Sequence, residues 1–220
     1  LGTKFITDVA LFSMNLREPI RLRPGWYSTE VTLRTVSEAL SKAACKLLEI
    51  EPGEILAEFR PGLSPGGHSG ADVEIFLYDT LPGGGGFAPQ LIAHGQTMFA
   101  LARDLLASCP NTACDSSCYR CLRSFKNKFE HNLLDRHIGA DFLDYILTGD
   151  IPAFDPRRIE RSTHDLFSDL ARLGDDRVDF EKDAPLSLGS ATLRVPILAT
   201  RRRDGARFAI GLACGLTPSV

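Results

Sequence analysis

Apolar and polar positions alternate along residues 4–16, a pattern typical of a strand with partly buried faces. After a Pro-Gly turn, apolar residues recur at three- and four-residue spacing from Val36 to Leu48. This spacing predicts an amphipathic helix, and Ser28 or Thr29 could cap its start. The first 50 residues are therefore expected to form a strand followed by a helix.

Two further strands are predicted at residues 55–60 and 72–79, separated by a glycine- and proline-rich loop at 61–70. Helical spacing returns from Phe87 to Ser108 and leads directly into a cluster of cysteines. These elements indicate an α+β fold, with a small mixed sheet and helices packed against it.

The pattern changes at about residue 150. One or two short helices are predicted before Gly149, and a helix at 157–173 follows a proline-containing boundary. Two strands are predicted on either side of Asp204-Gly205, a strong hairpin signal. We therefore divide the chain into a first domain at 1–150 and a smaller α+β extension of unknown role at 151–220.

Four cysteines fall within thirteen consecutive positions, with the spacing Cys109-x4-Cys114-x3-Cys118-x2-Cys121. Zinc prefers four soft ligands at tetrahedral corners, and short turns can direct four thiolates at one point. The spacing therefore predicts one bound Zn²⁺. Since four cysteines leave no coordination position open, the site is expected to be structural and not hydrolytic.

Other interpretations of the cysteines stay open on spacing alone. Two disulfides would suit a small secreted domain without a core. This chain is 44% hydrophobic, which is enough apolar material to form a core. The spacing does not exclude an iron–sulfur cluster. His131 or His137 could replace one thiolate, although the usual ligand patterns disfavour this.

Composition excludes a membrane-spanning protein, because the longest apolar run, from Phe208 to Leu216, is far shorter than the roughly 20 residues that a spanning helix needs. The net charge is −3, so any nucleic-acid contact must come from a local patch. The first residue is Leu1, which suggests a piece of a longer protein and makes the lack of a signal peptide uninformative.

One such patch follows the cysteines, where basic residues alternate with the aromatic residues Tyr119, Phe125 and Phe129. Cations for phosphate and rings for base stacking are the needs of a surface that binds single strands. The cations could instead neutralise a four-thiolate zinc site, and Phe125 and Phe129 could be core residues. Composition does not decide between these alternatives.

The segment Leu81–Gly86 contains four glycines between a strand and a helix, a context in which free amides attract phosphate. It is not a nucleotide-binding loop, since no Gly-Lys-Ser/Thr follows. The alternative is a tight structural turn that needs positive φ angles. The candidate residues for either role are Asp79, Thr80, Gly83, Gly84 and Gly86.

Several motifs together resemble a known family. They are Leu1-Gly2-Thr3, Tyr78-Asp79-Thr80 with Pro82-Gly83-Gly84 and Gly86, the four cysteines, Cys121-Leu122-Arg123-Ser124-Phe125, Asn127, His131 and Leu134-Asp135-Arg136. Their order resembles the zinc-binding C-terminal domain of MrfA-type superfamily 2 DNA helicases, which also occurs in helicase-related components of anti-phage systems such as DISARM. The resemblance covers about residues 1–150. Phe125 stands where the family often has Tyr, and Gly85 where Ala is frequent.

The resemblance implies a zinc-stabilised accessory domain of a bacterial, cytoplasmic, ATP-dependent helicase or translocase in DNA repair or phage defence. Its implied partners are the motor domains, in cis or as a partner subunit, and DNA, with single strands expected. The implied metal ligands are Cys109, Cys114, Cys118 and Cys121, and the candidates for phosphate contact are Arg120, Arg123, Lys126 and Lys128. Without a Walker A lysine or an Asp-Glu box, this piece is expected to have no catalytic residues and no ATPase activity of its own.

Two other functions compete with this one. A protein-interaction scaffold without DNA binding would join a motor to partner subunits, and exposed apolar surface would favour it. A nuclease would need clustered carboxylates, for which Asp179, Glu181 and Asp183 are candidates near a possible strand. The E-x-K element expected of such a nuclease is absent.

Overall fold

The computed structural model describes residues 4–16, 20, 22–61, 71–153, 155–174, 176–212 and 216. The chain consists of two compact units, residues 1–152 with 215–220, and residues 153–214. The opening motif at residues 1–3 lies outside the described residues, as does the predicted loop at 61–70 except for Pro61, which is the last residue of a strand. Among the helices that are described, none combines the length and the hydropathy needed to cross a membrane.

A three-stranded antiparallel sheet lies in the first unit. It consists of β1 (Val9–Leu16), β2 (Ile55–Pro61) and β3 (Ala71–Asp79), in the order β1-β3-β2. Ile75 of the central strand lies opposite Phe12 on one side and Phe59 on the other. Because successive side chains of a strand point to opposite faces, Val73, Ile75 and Leu77 are buried together on the face that meets the core.

Helices complete the first unit. They are α1 (Tyr27–Leu47), α2 (Ala88–Ala93), α3 (Gly95–Ala107), a 3₁₀ helix (Lys128–Leu133) and α4 (Arg136–Thr148). Helix α1 packs against α3, α4 and β2, and this packing buries Leu40, Leu106 and Phe142 almost completely. A Cβ atom on Gly139 would lie 2.5 Å from Thr35 Cγ2, so glycine is what lets α4 approach α1 this closely.

The second unit contains one helix and a second antiparallel sheet. Its elements are α5 (Pro156–Leu173), β4 (Val178–Leu188), β5 (Ala191–Arg201) and β6 (Arg207–Ile210), with the strand order β4-β5-β6. The Asp155 carboxylate accepts a hydrogen bond from the amide of Arg157 and caps α5. The predicted hairpin is present, with Gly205 at a φ of 67°.

The predicted α+β class is confirmed, but the described strands form antiparallel sheets and not a mixed one. A parallel pair needs a crossover of a dozen or more residues, whereas β2 and β3 are joined by only nine. Residues 189–190 likewise join β4 to β5 in a two-residue turn, so these strands pair as a hairpin.

Two local predictions differ from the structure. The helix predicted at 87–108 is interrupted at His94, which ends α2 and precedes α3. Helix α1 begins after Trp26 and has no side-chain cap, so Ser28 and Thr29 lie inside its first turn. There, the hydroxyl of Thr29 accepts a hydrogen bond from the amide of Arg23. Side-chain preference alone had favoured the two hydroxyl residues as caps.

Candidate metal centre

Two short turns carry the four cysteines in the segment that follows α3 in the sequence. The amide of Cys114 donates to the carbonyl oxygen of Asn111 at 3.0 Å. The carbonyl oxygen of Cys118 accepts hydrogen bonds from three successive amides, beginning with that of Cys121, at 2.9 to 3.1 Å. The amide of Cys118 in turn donates to Sγ of Cys121 at 3.1 Å. The backbone therefore turns back on itself beside each cysteine pair.

The Sγ atoms of Cys109, Cys114, Cys118 and Cys121 all lie within 4.8 Å of one another. The Sγ–Sγ distance is 3.6 Å for Cys109–Cys118, 3.8 Å for Cys114–Cys121 and 3.8 Å for Cys118–Cys121. Zinc–sulfur bonds of about 2.3 Å in a regular tetrahedron place neighbouring sulfurs about 3.8 Å apart. All four cysteines are free, so the arrangement is not a pair of disulfides and suits one structural zinc ion.

The thiols of this cluster differ in proton affinity. Burial raises the pKa of Cys114 to about 12, and the neighbouring thiols, that of Cys118 first, act in the same direction. Burial would also raise the pKa of Cys118, but hydrogen bonds from the backbone of Arg120 and from Cys109 outweigh it and lower this pKa to about 6. Metal coordination deprotonates a thiol outright, so a bound zinc ion would hold all four side chains as thiolates despite these differences.

Lys42 supplies a positive charge from α1. Its Nζ atom donates to the carbonyl oxygen of Cys121 at 2.7 Å. Burial lowers the pKa of Lys42, and the charges of Glu38, Cys121 and Cys118 oppose this effect. Since zinc with four thiolates has a formal charge of −2, a nearby lysine partly neutralises it. The sequence pattern does not single out Lys42, which is only a cation on a face of α1 that also carries Cys45.

Neither candidate histidine belongs to the cysteine cluster. Nε2 of His137 lies 2.9 Å from the carbonyl oxygen of Asp115. Nε2 of His131 lies 3.1 Å from both the carbonyl oxygen of Ser124 and Oδ1 of Asn127. Both imidazoles therefore hold the loop around the cysteines.

The start of α4 attaches residues 109–127, which we call the cysteine loop, to the helical core. The Asp135 carboxylate accepts hydrogen bonds from the amides of His137 and Ile138, at 2.9 and 3.3 Å, and so caps the helix. The guanidinium group of Arg136 donates to the carbonyl oxygens of Leu106 and Cys114, at 3.2 and 3.3 Å. One side chain thus joins the end of α3 to the turn that carries Cys114.

The aromatic residues beside the metal centre are exposed. The exposed fraction is 69% for Tyr119, 77% for Phe125 and 85% for Phe129. Nζ of Lys128 lies 4.2 Å from the ring centre of Phe125 and 4.9 Å from that of Phe129. The alternative that these phenylalanines are core residues is therefore wrong. We refer to Tyr119, Phe125, Lys128 and Phe129 as the ring–lysine surface.

The four cations proposed for phosphate contact have different surroundings. Arg120, Lys126 and Lys128 are exposed, whereas Arg123 is half-buried and donates from Nε to the hydroxyl of Ser117 at 3.0 Å. Arg123 therefore also holds the cysteine loop. The other three place positive charge at the surface.

The glycine turn has an anion of its own. The carboxylate of Asp79, which is fully buried, accepts hydrogen bonds from the amides of Gly85, Phe87 and Ala88, at 2.7, 3.0 and 2.8 Å. The amides at the start of α2 are thus already bonded to the protein's own carboxylate. This favours the structural alternative over phosphate binding.

The remaining residues of this turn have structural surroundings. Gly83, Gly84 and Gly86 have φ angles of 92°, 83° and 74°. A Cβ atom on Gly84 would lie 2.1 Å from Oδ2 of Asp8, so only glycine fits there. The hydroxyl of Thr80 donates toward the carbonyl oxygens of residues 53 and 54, at 3.2 Å each, and attaches the turn to the segment before β2.

The carboxylates considered for a nuclease do not form a metal site. Asp179 is paired with Arg202 and Asp183 with Arg194, in exposed ion pairs on the second sheet. The hydrogen bonds from these arginines lower the pKa of both carboxyls. Among the described residues, only the four cysteines form a group that could hold a metal ion.

Comparisons with known proteins agree with this geometry. Residues 36–122, which include all four clustered cysteines, match the family model of the MrfA Zn-binding domain. The chain is 34% identical over 163 residues to Druantia protein DruE of Escherichia coli (strain UMEA 4076-1). The aligned region covers 69% of this chain and 8% of that protein. The chain therefore spans less than a tenth of the length of this relative.

Two solved structures are similar to part of the chain. They are the DUF1998 helicase MrfA bound to DNA, and the same helicase bound to DNA and AMPPNP. The identities are 21% and 20%, each with a TM-score of 0.40, over 56% and 62% of this chain and 15% of theirs. Together with the sulfur geometry, the match at 36–122 shows that the chain carries a zinc-binding domain of the MrfA family.

Proposed function

We propose that the chain is a zinc-stabilised accessory part of an ATP-dependent superfamily 2 DNA helicase or translocase that acts in DNA repair or phage defence. In this proposal it contacts single-stranded DNA and packs against the motor domains, which carry the ATPase chemistry. The zinc ligands are Cys109, Cys114, Cys118 and Cys121. The MrfA Zn-binding domain at 36–122 supports the helicase context.

The observation that carries the DNA contact is the exposure of the ring–lysine surface. Phenyl rings that serve only the fold are normally buried, yet Phe125 and Phe129 are both more than three-quarters exposed. Lys128 lies against both rings. Stacking of bases on rings, combined with cations that contact phosphates, is how proteins bind single strands without sequence preference.

Zinc would act on this surface indirectly. Cys118 and Cys121 lie next to Tyr119 and Arg120, and the loop then continues directly to Phe125. The metal supplies cross-links within turns that contain little hydrophobic material of their own. It therefore fixes the positions of the rings and cations and leaves no coordination position for substrate.

Titration of a labelled oligo-dT strand with the zinc-loaded chain, followed by fluorescence anisotropy, tests the DNA contact. We expect Phe129→Ala to weaken binding by about 5- to 150-fold, since a base–ring stack contributes about 1–3 kcal/mol. Lys128→Gln is expected to reduce the slope of log affinity against log salt by about 1. The matched control is Phe208→Ala, which removes a half-exposed ring beside Arg201 in the second unit. If the affinity does not change with salt, with Phe129→Ala or with Lys128→Gln, the DNA contact is refuted.

A scaffold function is the second candidate, because β1 and the residues before it expose apolar side chains. Ile6 is 83% exposed, and Val9 and Leu11 are about half exposed. A row of apolar groups on an edge strand can dock another protein. This function is favoured if the zinc-loaded chain shows no affinity for oligonucleotides even at low salt.

A further inference from the structure

A cleft of about 630 Å³ opens in the first unit between α1, the start of β2 and the cysteine loop. We call it the α1 cleft. Its volume falls within the range of pockets that bind small ligands. It lies beside the metal centre, and Cys121 and Phe125 contribute to its wall.

The inner wall of the α1 cleft is apolar. It is formed by Cys45, Ile50, Leu56, Ala57 and Leu105, three of which are only half-buried. Half-buried aliphatic groups inside a concave surface gain free energy when a flat apolar ligand covers them. The inner wall therefore suits a ring system.

The rim of the α1 cleft carries exposed cations. Lys46, Arg120 and Lys126 line it, and none of them has an ion pair among the residues that the structure describes. Lys126 lies beside Gly53 in the lining of the cleft, since a Cβ atom on Gly53 would lie 2.2 Å from its Nζ atom. Three cations without carboxylate partners at one rim suit a phosphate group.

One side of the α1 cleft carries acidic groups that would orient such a ligand. Glu38 lines the wall and accepts a hydrogen bond from Nδ2 of Asn127 at 2.9 Å. Arg34 lies between Glu58 and Glu130, at 3.1 and 3.3 Å, and is neutralised by them. Lys42 also lines the interior and donates to the carbonyl oxygen of Cys121. The three carboxylates of Glu38, Glu58 and Glu130 still outnumber the two interior cations, so a phosphate is attracted to the rim, whereas the N–H groups of a base can approach Glu38.

We propose that the α1 cleft binds one unstacked nucleotide of a single DNA strand, with its base against the apolar wall and its phosphate among Lys46, Arg120 and Lys126. The inference rests on the proposed function, because the neighbouring nucleotides would lie on the ring–lysine surface. Phe125 belongs to both the cleft wall and that surface. This continuity favours a strand over a free nucleotide or an acidic peptide.

Methyl NMR of the zinc-loaded 220-residue chain tests base insertion directly. We expect an oligo-dC strand to shift the methyl signals of Ile50, Leu56 and Leu105, while those of Leu143, in the core of α4, stay unchanged. An abasic strand of the same length keeps the phosphates but has no base to insert. It is expected to bind more weakly and to leave the three cleft methyls unshifted.

A charge variant provides a second measurement. Lys46 is exposed on α1, so Lys46→Glu should fold and should weaken oligo-dC binding by about three- to tenfold, since it removes a phosphate contact and adds repulsion. The matched control is Lys4→Glu, an exposed lysine outside the cleft, which is expected to retain the parent affinity. If the Lys46→Glu variant binds oligo-dC with the parent affinity, the result contradicts nucleotide binding in the α1 cleft.

The outcomes separate this inference from the proposed function. If oligo-dC binds and Phe129→Ala weakens it, but the cleft methyls do not shift or shift equally with the abasic strand, the cleft inference is overturned and the DNA contact stands. If no oligonucleotide binds, both fail. If dCMP alone, or an oligo-glutamate peptide, shifts the cleft methyls as strongly as oligo-dC, the cleft is not a strand site.

Discussion

Lys42 and Cys121 are joined by a hydrogen bond of 2.7 Å from the ammonium group to the backbone carbonyl oxygen. The bond connects α1, which contributes to the core of the first unit, with the turn that carries two of the clustered cysteines. It also places a cation where zinc and four thiolates would have a formal charge of −2. The stability of the metal centre is therefore coupled to a residue 79 positions away in the sequence.

Replacement of Lys42 by methionine is expected to weaken zinc binding without abolishing it. Methionine keeps much of the buried aliphatic length but removes both the hydrogen bond and the positive charge. Removal of residues that support metal ligands typically lowers metal affinity by about 10- to 100-fold. Competition with a chromophoric chelator measures this affinity. Lys46→Met, one turn along α1 at an exposed position, is the control, and equal zinc affinities in the two variants would contradict the role of Lys42.

Removal of zinc is expected to loosen the cysteine loop and leave α1 and the first sheet largely formed. The loop has few buried apolar groups, whereas α1 and β3 each contribute many buried apolar side chains to the core of the first unit. Elemental analysis should find one zinc per reduced chain and none in Cys114→Ala. Hydrogen exchange after chelation should rise mainly at 109–127. Cys45→Ala, which changes a free cysteine outside the cluster, should retain one zinc.

Glu38 is expected to make stability depend on pH. Burial raises its pKa above the ordinary value of 4.5, so the folded state binds this proton more tightly than the unfolded chain does. Its contribution is favourable at low pH and becomes unfavourable as the pH rises through the raised folded pKa. Glu38→Gln should therefore increase the free energy of unfolding at pH 7, and this gain should shrink as the pH falls toward 4.5.

Urea unfolding of the zinc-loaded protein at several pH values measures the Glu38 effect. Glu51→Gln, at an exposed position, is the matched comparison for loss of a carboxylate. A Glu38→Gln gain that stays constant with pH, or a loss of stability at pH 7, would show that the ionised carboxylate is favourable in the folded protein.

Asp79→Ala is expected to destabilise the first unit by on the order of 3 kcal/mol. The substitution leaves three amides, those of Gly85, Phe87 and Ala88, without their buried acceptor, at about 1 kcal/mol or more each. Thermal or urea unfolding measures the change. Asp150→Ala, at an exposed carboxylate after α4, should have little effect. If the two variants were equally stable, water would satisfy these amides as well as Asp79 does.

The local pattern was enough to predict several parts of this protein. The three-residue and four-residue spacing from Val36 to Leu48 predicted most of α1. Alternation predicted the strand at 55–60, and a continuous apolar run between acidic residues predicted the strand at 72–79. Spacing alone also predicted that four cysteines would converge. These features depend on contacts between residues that are close in sequence, where side-chain period and turn length restrict the geometry.

Tertiary structure decided what local pattern left open. The four-residue spacing of Phe125 and Phe129 is the same for a core helix and for a surface loop, and only packing shows that both rings are exposed. The sequence left the glycine turn open to a phosphate-binding or a purely structural role, and the buried carboxylate of Asp79, which already bonds its amides, favours the structural one.

Sequence by itself thus determined the residue types that can bind a metal and the elements that carry them. The tertiary structure decided which groups are neutralised and which remain exposed, as for Lys42 beside the cysteines and Lys126 at the α1 cleft. The physical reason is that charge and burial depend on neighbours brought together from distant parts of the chain, whereas element type depends mainly on the period of side chains along it.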